Sequence, residues 1–182
     1  NSEKAIHVAK QKAKAEAVQK IIDNGMMDEE TVSNDNCEYT TNENGNITLN
    51  YYDGANNSIV IPNEIDGKKI ENIDTTAFEG NSNVEIIKIP QTISKIEWSF
   101  WNCKNLKTIE VHPDNKIYCS LDGVLYSKDH KVLYAYPNMH GSIYEVPEGV
   151  ETIEKFAFKD CDNIKIIMLP STIKQIKLNA FY

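Results

Sequence analysis

Arginine is absent from this sequence: all 19 basic residues are lysine, set against 27 acidic residues for a net charge of −8. Nucleic-acid surfaces rely on guanidinium forks that grip phosphates and guanines in pairs, and an acidic chain without arginine has none to offer. Nucleic acid is therefore not an expected partner. Apolar residues never run for the roughly 20 positions that a spanning helix needs, so no membrane insertion of this segment is expected. The signatures of catalysis are also missing, with no Gly-x-Ser-x-Gly, no His-Glu-x-x-His and no phosphate-binding glycine loop. Carboxylate pairs such as Asp122 with Asp129, or Asp160 with Asp162, fall in turns, where aspartate is ordinary punctuation. No enzymatic activity, catalytic residue or cofactor is expected.

Cysteine is scarce, at four residues. Cys103 and Cys161 stand at the same place in two copies of a repeat, after a phenylalanine and just before an Asn-aliphatic pair, which predicts small packing thiols rather than a disulfide. Cys119 has His112, His130 and His140 around it, at successive spacings of 7, 11 and 10 that match no zinc ligand pattern, so no metal site is expected.

The residues that are present divide into a head and a body. Residues 1 to 24 hold five lysines and three acids, a local charge of +2, which leaves −10 for the rest. Ser2 as N-cap, then Ile6, Ala9, Ala13, Ala17 and Ile21 at spacings of three and four, with Gly25 as a stop, predict a helix over 2–24. Its alanine stripe buries little area, so deleting residues 1–36 is expected to leave the remainder folded. Residues 26–36 are polar, acidic and aperiodic, and read as a linker. Cys37 to Leu49 read as a hairpin around Asn42-Glu43-Asn44-Gly45-Asn46, placed to cap the open end of the body.

The body is periodic. Pro147, Val150, Ile153, Ala157 and Phe158 return as Pro170, Ile173, Ile176, Ala180 and Phe181, each 23 residues later. At an offset of 80, Ile73, Ala77, Phe78, Asn83, Val84, Ile87, Ile89 and Pro90 map onto Ile153, Ala157, Phe158, Asn163, Ile164, Ile167, Leu169 and Pro170. Recurrence of apolar positions at a fixed period specifies stacked coils of a solenoid, because one coil cannot bury its aliphatic face alone. Each unit is a strand ending in proline, which lacks the N–H for a further ladder step, then two spaced aliphatics and an aromatic plug. Phe158 is one such plug. Pro113 to Pro147 measures 34 residues, and in that interval Gly123-Val124-Leu125-Tyr126 and Val132-Leu133-Tyr134-Ala135 flank a polar turn, which predicts an inserted hairpin extending from the solenoid. Trp98 aligns near Phe156 and is expected in the core; Trp101 aligns with Glu79 and Lys159 and is expected to face water.

These repeats resemble the BspA-type leucine-rich repeats of bacterial cell-surface proteins. The resemblance is carried by Ile89-Pro90, Val146-Pro147 and Leu169-Pro170 at strand ends, by residues 156 to 164 (FAFKDCDNI), and by residues 121 to 129 (LDGVLYSKD), which are similar to an insertion that recurs in that family. Two departures are Asn81 in place of the repeat cysteine, and Trp98-Ser99-Phe100-Trp101, one residue short of its counterpart. The resemblance implies a leucine-rich-repeat solenoid, mainly β with a parallel curved sheet, from the Cys37 hairpin to the end; the capping hairpin and the separate N-terminal helix are expected from the residues themselves, and the helix is left unexplained by the resemblance. It also implies a secreted or cell-surface bacterial protein that binds other proteins, host or matrix proteins among them.

The expected organisation is therefore 1–36 as helix and linker and 37–182 as the repeat domain, with cap 37–57, repeats 58–111, inserted hairpin 112–143 and repeats 144–182. Alternation along the strands sends Ile86 and Lys88, Thr108 and Glu110, Ile143 and Glu145, and Ile166 and Met168 outward. Three of the first members are isoleucine, and stacking would align them in an apolar column at about 4.8 Å per step. This face, with Tyr126 and Tyr134 from the hairpin, is the candidate partner-binding surface of an adhesin-like interaction module, and an exposed Trp101 is a separate candidate contact to turn to, with the opposite surface, if the sheet face is excluded. The alternative is a passive structural spacer within a larger surface protein.

Overall fold

The computed structural model describes residues 29–101 and 103–182. The helix expected over 2–24 lies outside the described residues. Within them the chain is a β-solenoid, and each coil contributes one strand to each of two parallel ladders.

The first ladder holds β1 (Glu29–Thr31), β4 (Ser58–Val60), β7 (Ile86–Ile89) and β9 (Thr108–Val111), in that order. Its register places Ile59 beside Ile87 and Ile87 beside Ile109, and all three are fully buried. The prolines that follow these strands, Pro62, Pro90 and Pro113, end each pairing step for want of an N–H. The second ladder begins with the hairpin of β2 (Cys37–Thr41) and β3 (Ile47–Tyr52), and β3 then pairs in parallel with β6 (Lys68–Ile73), and β6 with β8 (Lys95–Ile96). A short strand, β5 (Glu64–Ile65), folds back on β6. No helix among the described residues is long and apolar enough to cross a membrane.

The hairpin forms where the sequence predicts it. The Asn42 side chain accepts the N–H groups of Asn44 and Asn46, each at 3.0 Å, and Gly45 takes the left-handed conformation (φ 77°) that closes the loop. The cap is wider than predicted, however. Residues 29–31 are not linker but the first strand of the first ladder, and Val32 behind them is 1% exposed within the core. The acidic Glu29-Glu30 pair hides this strand, because a three-residue edge strand with one buried valine leaves almost no periodicity. Removing residues 1–36 is consequently expected to destabilise the protein by about 2 kcal/mol or more through loss of Val32, whereas a chain beginning at Glu29 keeps the strand. Thermal melts of the two truncations test this, and equal melting temperatures would contradict the place of β1.

The interval expected to project as a hairpin is instead internal. Strands β10 (Tyr118–Leu121), β11 (Val124–Ser127) and β12 (Val132–Ala135) form an antiparallel meander. Strand β12 then joins the second ladder, pairing in parallel with β14 (Thr152–Ile153), which pairs with β16 (Gln175–Ile176). The first ladder resumes as β13 (Ile143–Glu145) beside β15 (Ile166–Met168). Leu125 packs into the core of the preceding coils, while Val124 and Tyr126 pack into the core of the following ones, and all three are fully buried. The meander is a partition wall. Its signal is Val124-Leu125-Tyr126, apolar without alternation, the pattern of a strand buried on both faces.

Between coils, polar groups take up the turn carbonyls. Asn115, fully buried, donates its amide to the carbonyls of Pro90 and Ile93 at 3.0 and 2.9 Å and accepts the N–H groups of Ile117 and Tyr118. Cys103 donates its thiol to the Phe78 carbonyl at 2.9 Å, and Cys161 to the equivalent Tyr136 carbonyl at 3.5 Å. Both are buried, and neither is in a disulfide; Cys37 and Cys119, at intermediate exposure, are free as well.

Candidate interaction surface

The outward column is divided by the meander. At its turn, Asp122 and Gly123 both have positive φ (50° and 78°), the two-residue geometry that an Asp-Gly pair supports. The turn lies on β9: the Ile109 N–H donates to the Gly123 carbonyl at 2.8 Å, and a Cβ on Gly123 would stand 3.1 Å from Thr108 Cγ2. A glycine is therefore required both for its backbone angle and for its approach. Thr108 is half-buried and β9 has no pairing with β13, so the predicted continuous ladder of Ile86, Thr108, Ile143 and Ile166 does not exist.

Ile86 is 3% exposed and is corrected from surface to core. Strand β7 carries apolar residues at 86, 87 and 89 and buries both faces at its start, where simple alternation assigns Ile86 to water. Tyr126 is likewise corrected. It is fully buried in the partition strand, its hydroxyl hydrogen-bonded to that of Tyr144, so it contributes nothing to a surface. Tyr134 is half-buried, edge-on to Tyr118 at 5.2 Å.

Two surface segments remain on this side. Towards the N-terminal end, Lys88 and Glu110 stand beside one another in register and border a groove of about 380 Å³ floored by Pro62, Pro90 and Pro113. Towards the C-terminal end, Ile143 is paired directly with Ile166, and Glu145 with Met168. Ile143 is 60% exposed, Ile166 50% and Met168 45%, whereas Tyr144 between them on β13 is buried. Alternation holds here as the sequence predicts.

The tyrosines behind β13 form a closed packing unit. Tyr136 packs on Tyr144 at 4.7 Å and on Phe158 at 5.1 Å, and its hydroxyl donates to the Gly141 carbonyl. His140 sits edge-on to Tyr136 and faces the Lys107 carbonyl through Nδ1 at 3.1 Å and Asp122 through Nε2 at 3.5 Å. The cluster ties the Asp122-Gly123 turn to the 136–142 loop and holds β13 in position. Burial raises the hydroxyl pKa of Tyr126, Tyr136 and Tyr144, so these groups stay protonated and act as fixed donors and acceptors.

Trp98 is 39% exposed rather than in the core. It takes positive φ (37°), as do Phe156 (63°) and Asn179 (59°) two residues before each coil's plug, and this left-handed turn carries the side chain outward. Trp101, half-buried, lies 4.0 Å beneath the Lys159 ammonium. Among the described residues, no group of three or more His, Cys, Asp or Glu is placed to hold a metal ion.

The coil pattern is shared with known proteins. The family profile described as BspA type leucine rich repeat region matches in six copies, over residues 45–121 and 133–182, more than two thirds of the chain. The chain belongs to the BspA-type leucine-rich repeat family. The break in the match falls on the turn and central strand of the meander. No curated protein matches the sequence. Among solved structures, a leucine-rich repeat protein of Eubacterium ventriosum is 22% identical, with a TM-score of 0.59 over 68% of this chain and 44% of that one. The pneumococcal vaccine antigen PcpA is 26% identical, with a TM-score of 0.58 over 65% of this chain and 29% of that one. A leucine-rich cell surface protein of Faecalibacterium prausnitzii is 20% identical, with a TM-score of 0.52 over 82% of this chain and 45% of that one. The chain thus spans less than half the length of each of these three.

Proposed function

We propose that this BspA-type solenoid is a non-catalytic, adhesin-like interaction module of a secreted or surface-attached bacterial protein, binding a partner protein through the outer face of β13 and β15. The observation that carries this reading is the patch of Ile143, Ile166 and Met168, each 45% exposed or more on strands whose inward residues are packed. Strand propensity alone is satisfied by threonine, and aliphatic side chains clustered in water on paired strands are better explained by contact with a partner. Glu145 beside the patch and the Lys88–Glu110 groove further along the solenoid would supply polar rim and orientation. Matrix and host surface proteins are the partners to test first, since the similar proteins include a vaccine antigen and a cell surface protein.

The spacer reading draws on the second ladder, whose side carries charge: Glu151 is bridged by Lys131 at 3.2 Å and by Lys174 at 2.7 Å, linking three coils. Such a surface is suited to remaining apart from other molecules.

The experiment is a binding screen of the full chain against immobilised matrix proteins, followed by the double variant Ile143→Asp with Ile166→Lys. Opposite charges are chosen because the two positions are directly paired, where like charges would disturb the fold. Provided far-UV circular dichroism is unchanged, affinity is expected to fall by about thirtyfold or more, as for loss of a hot spot. Parent-level affinity would exclude this face, and no binding to any partner would favour the spacer.

A further inference from the structure

The chain contains two tryptophans, and both stand on one ridge of the solenoid beside two lysines. Trp98 meets Phe156 edge-on at 5.5 Å, reaching across the coil that β12 inserts between them. Lys155 places its ammonium 4.4 Å from the Trp98 ring and 4.8 Å from Phe156. Lys159 lies 4.0 Å from Trp101, 4.9 Å from Phe156 and 5.3 Å from Tyr182, which is 74% exposed. Both ammonium groups thus flank a single phenylalanine ring.

These lysines differ from their neighbours. Along the same side, Lys95 pairs with Glu97, Lys131 and Lys174 with Glu151, and Lys177 with Glu154. Lys155 and Lys159 have aromatic rings and no carboxylate among the described residues. The two carboxylates nearest in sequence to the Trp98 and Lys155 positions, Glu97 and Glu154, are already taken by other lysines. In a protein of net charge −8, two lysines that meet aromatic rings and no carboxylate among the described residues stand apart from the paired lysines around them.

We infer that this ridge binds an acidic saccharide, a chain of pyranose rings bearing carboxylate or sulfate groups. The open part of Trp98 and the ring of Tyr182 offer flat apolar surface to the C–H face of a sugar, and Lys155 and Lys159 meet its anionic substituents. The backbone argues for a saccharide over an acidic peptide. The N–H groups of Lys155, Ala157, Phe158, Lys159 and Asp160 are all engaged within the solenoid. An extended peptide docks largely through main-chain hydrogen bonds, which this ridge cannot supply, whereas a saccharide needs ring faces and charged side chains. The left-handed residues Trp98 and Phe156, at the turn position that Asn179 occupies in the last coil, carry their rings away from the core.

Because both tryptophans lie in the ridge, intrinsic fluorescence of the full chain reports on it directly. The probes are a heparin-derived octasaccharide, a hyaluronan octasaccharide, a neutral maltooligosaccharide and an oligoglutamate peptide of matched length, with calorimetry giving affinities. The first two are expected to change the tryptophan emission, and the difference between them separates sulfate from carboxylate recognition. The neutral sugar is expected to leave the emission unchanged. Lys155→Met with Lys159→Met should weaken binding about tenfold or more, and raising the salt concentration should weaken binding to the parent protein, a readout that does not depend on how the variant folds. Equal or tighter binding of oligoglutamate would overturn the inference in favour of an acidic protein segment. Equal binding of the neutral sugar, or no response to either acidic saccharide, would overturn it outright.

Discussion

Phe158→Ala is expected to lower stability by about 3 to 5 kcal/mol, one of the largest losses available from a single side chain in this solenoid. Phe158 is 3% exposed and lies between Tyr136 and Phe181, at centroid distances of 5.1 Å to each. Its N–H donates to the Ala180 carbonyl, and the Tyr136 N–H to the Ala157 carbonyl, so the coils on both sides are anchored at the point where the ring would be removed. Anchored coils cannot close on the space, and the cavity cost adds to the lost transfer energy. Phe181 is 46% exposed, so relaxation is possible on that side only and draws the effect towards the lower figure. Because each coil is held by its neighbours, the loss should spread to the Tyr136–Tyr144 packing and appear in near-ultraviolet circular dichroism as well as in denaturant melts. An unchanged midpoint would place Phe158 at the surface and break the 23-residue register.

That register is legible because it is written in residues whose burial repeats: Ile73 and Ile153, with Leu49 and Leu133 that pair with them, are fully buried in equivalent strands. Repetition is redundant, and a single irregular coil does not obscure it. The features that escape the sequence are those that occur once. Strand β1 has no counterpart pattern, and Val32 is one valine among polar residues. The meander is misplaced because a hairpin flanked by turn residues looks alike whether it projects or folds inward; the absence of polar residues between Val124 and Tyr126 is the decisive cue. The candidate surface is half legible for the same reason. Alternation gives the right answer for Ile143, Glu145, Ile166 and Met168, where one side of the strand meets water, and the wrong one for Ile86, where neither does. The aromatic ridge joins residues 98 and 156 across an inserted coil, and nothing local in the sequence announces that distance.

A pH titration is expected to unfold the protein at the alkaline end with unusual steepness. Burial pushes the thiols of Cys103 and Cys161 from 9.0 up to about 12, Cys161 with the further repulsion of Asp160 and Asp162. It pushes Cys37 to about 11, with the charge of Asp53 adding to it, and the Tyr118 hydroxyl from 10.0 to about 12; Tyr126, Tyr136 and Tyr144 move in the same direction. In each case the folded chain holds its proton more tightly than the unfolded chain. The contribution of these groups is therefore complete below about pH 9 and declines as pH rises towards the folded values near 12. Summed over the buried thiols and hydroxyls, the loss is on the order of several kcal/mol, comparable with the whole stability of a domain. Charge acts in the same sense. Each proton lost from a thiol or hydroxyl adds to a net charge of −8, in a chain whose 27 acidic residues already repel one another. The two causes separate experimentally. High salt should relieve the repulsion and leave the thiol contribution, whereas Cys103→Ala with Cys161→Ala should move the alkaline midpoint upward at either salt concentration. Stability that stays level from pH 9 to pH 11, followed by far-ultraviolet circular dichroism and thiolate absorbance, would show that these groups are far less buried than their packing implies.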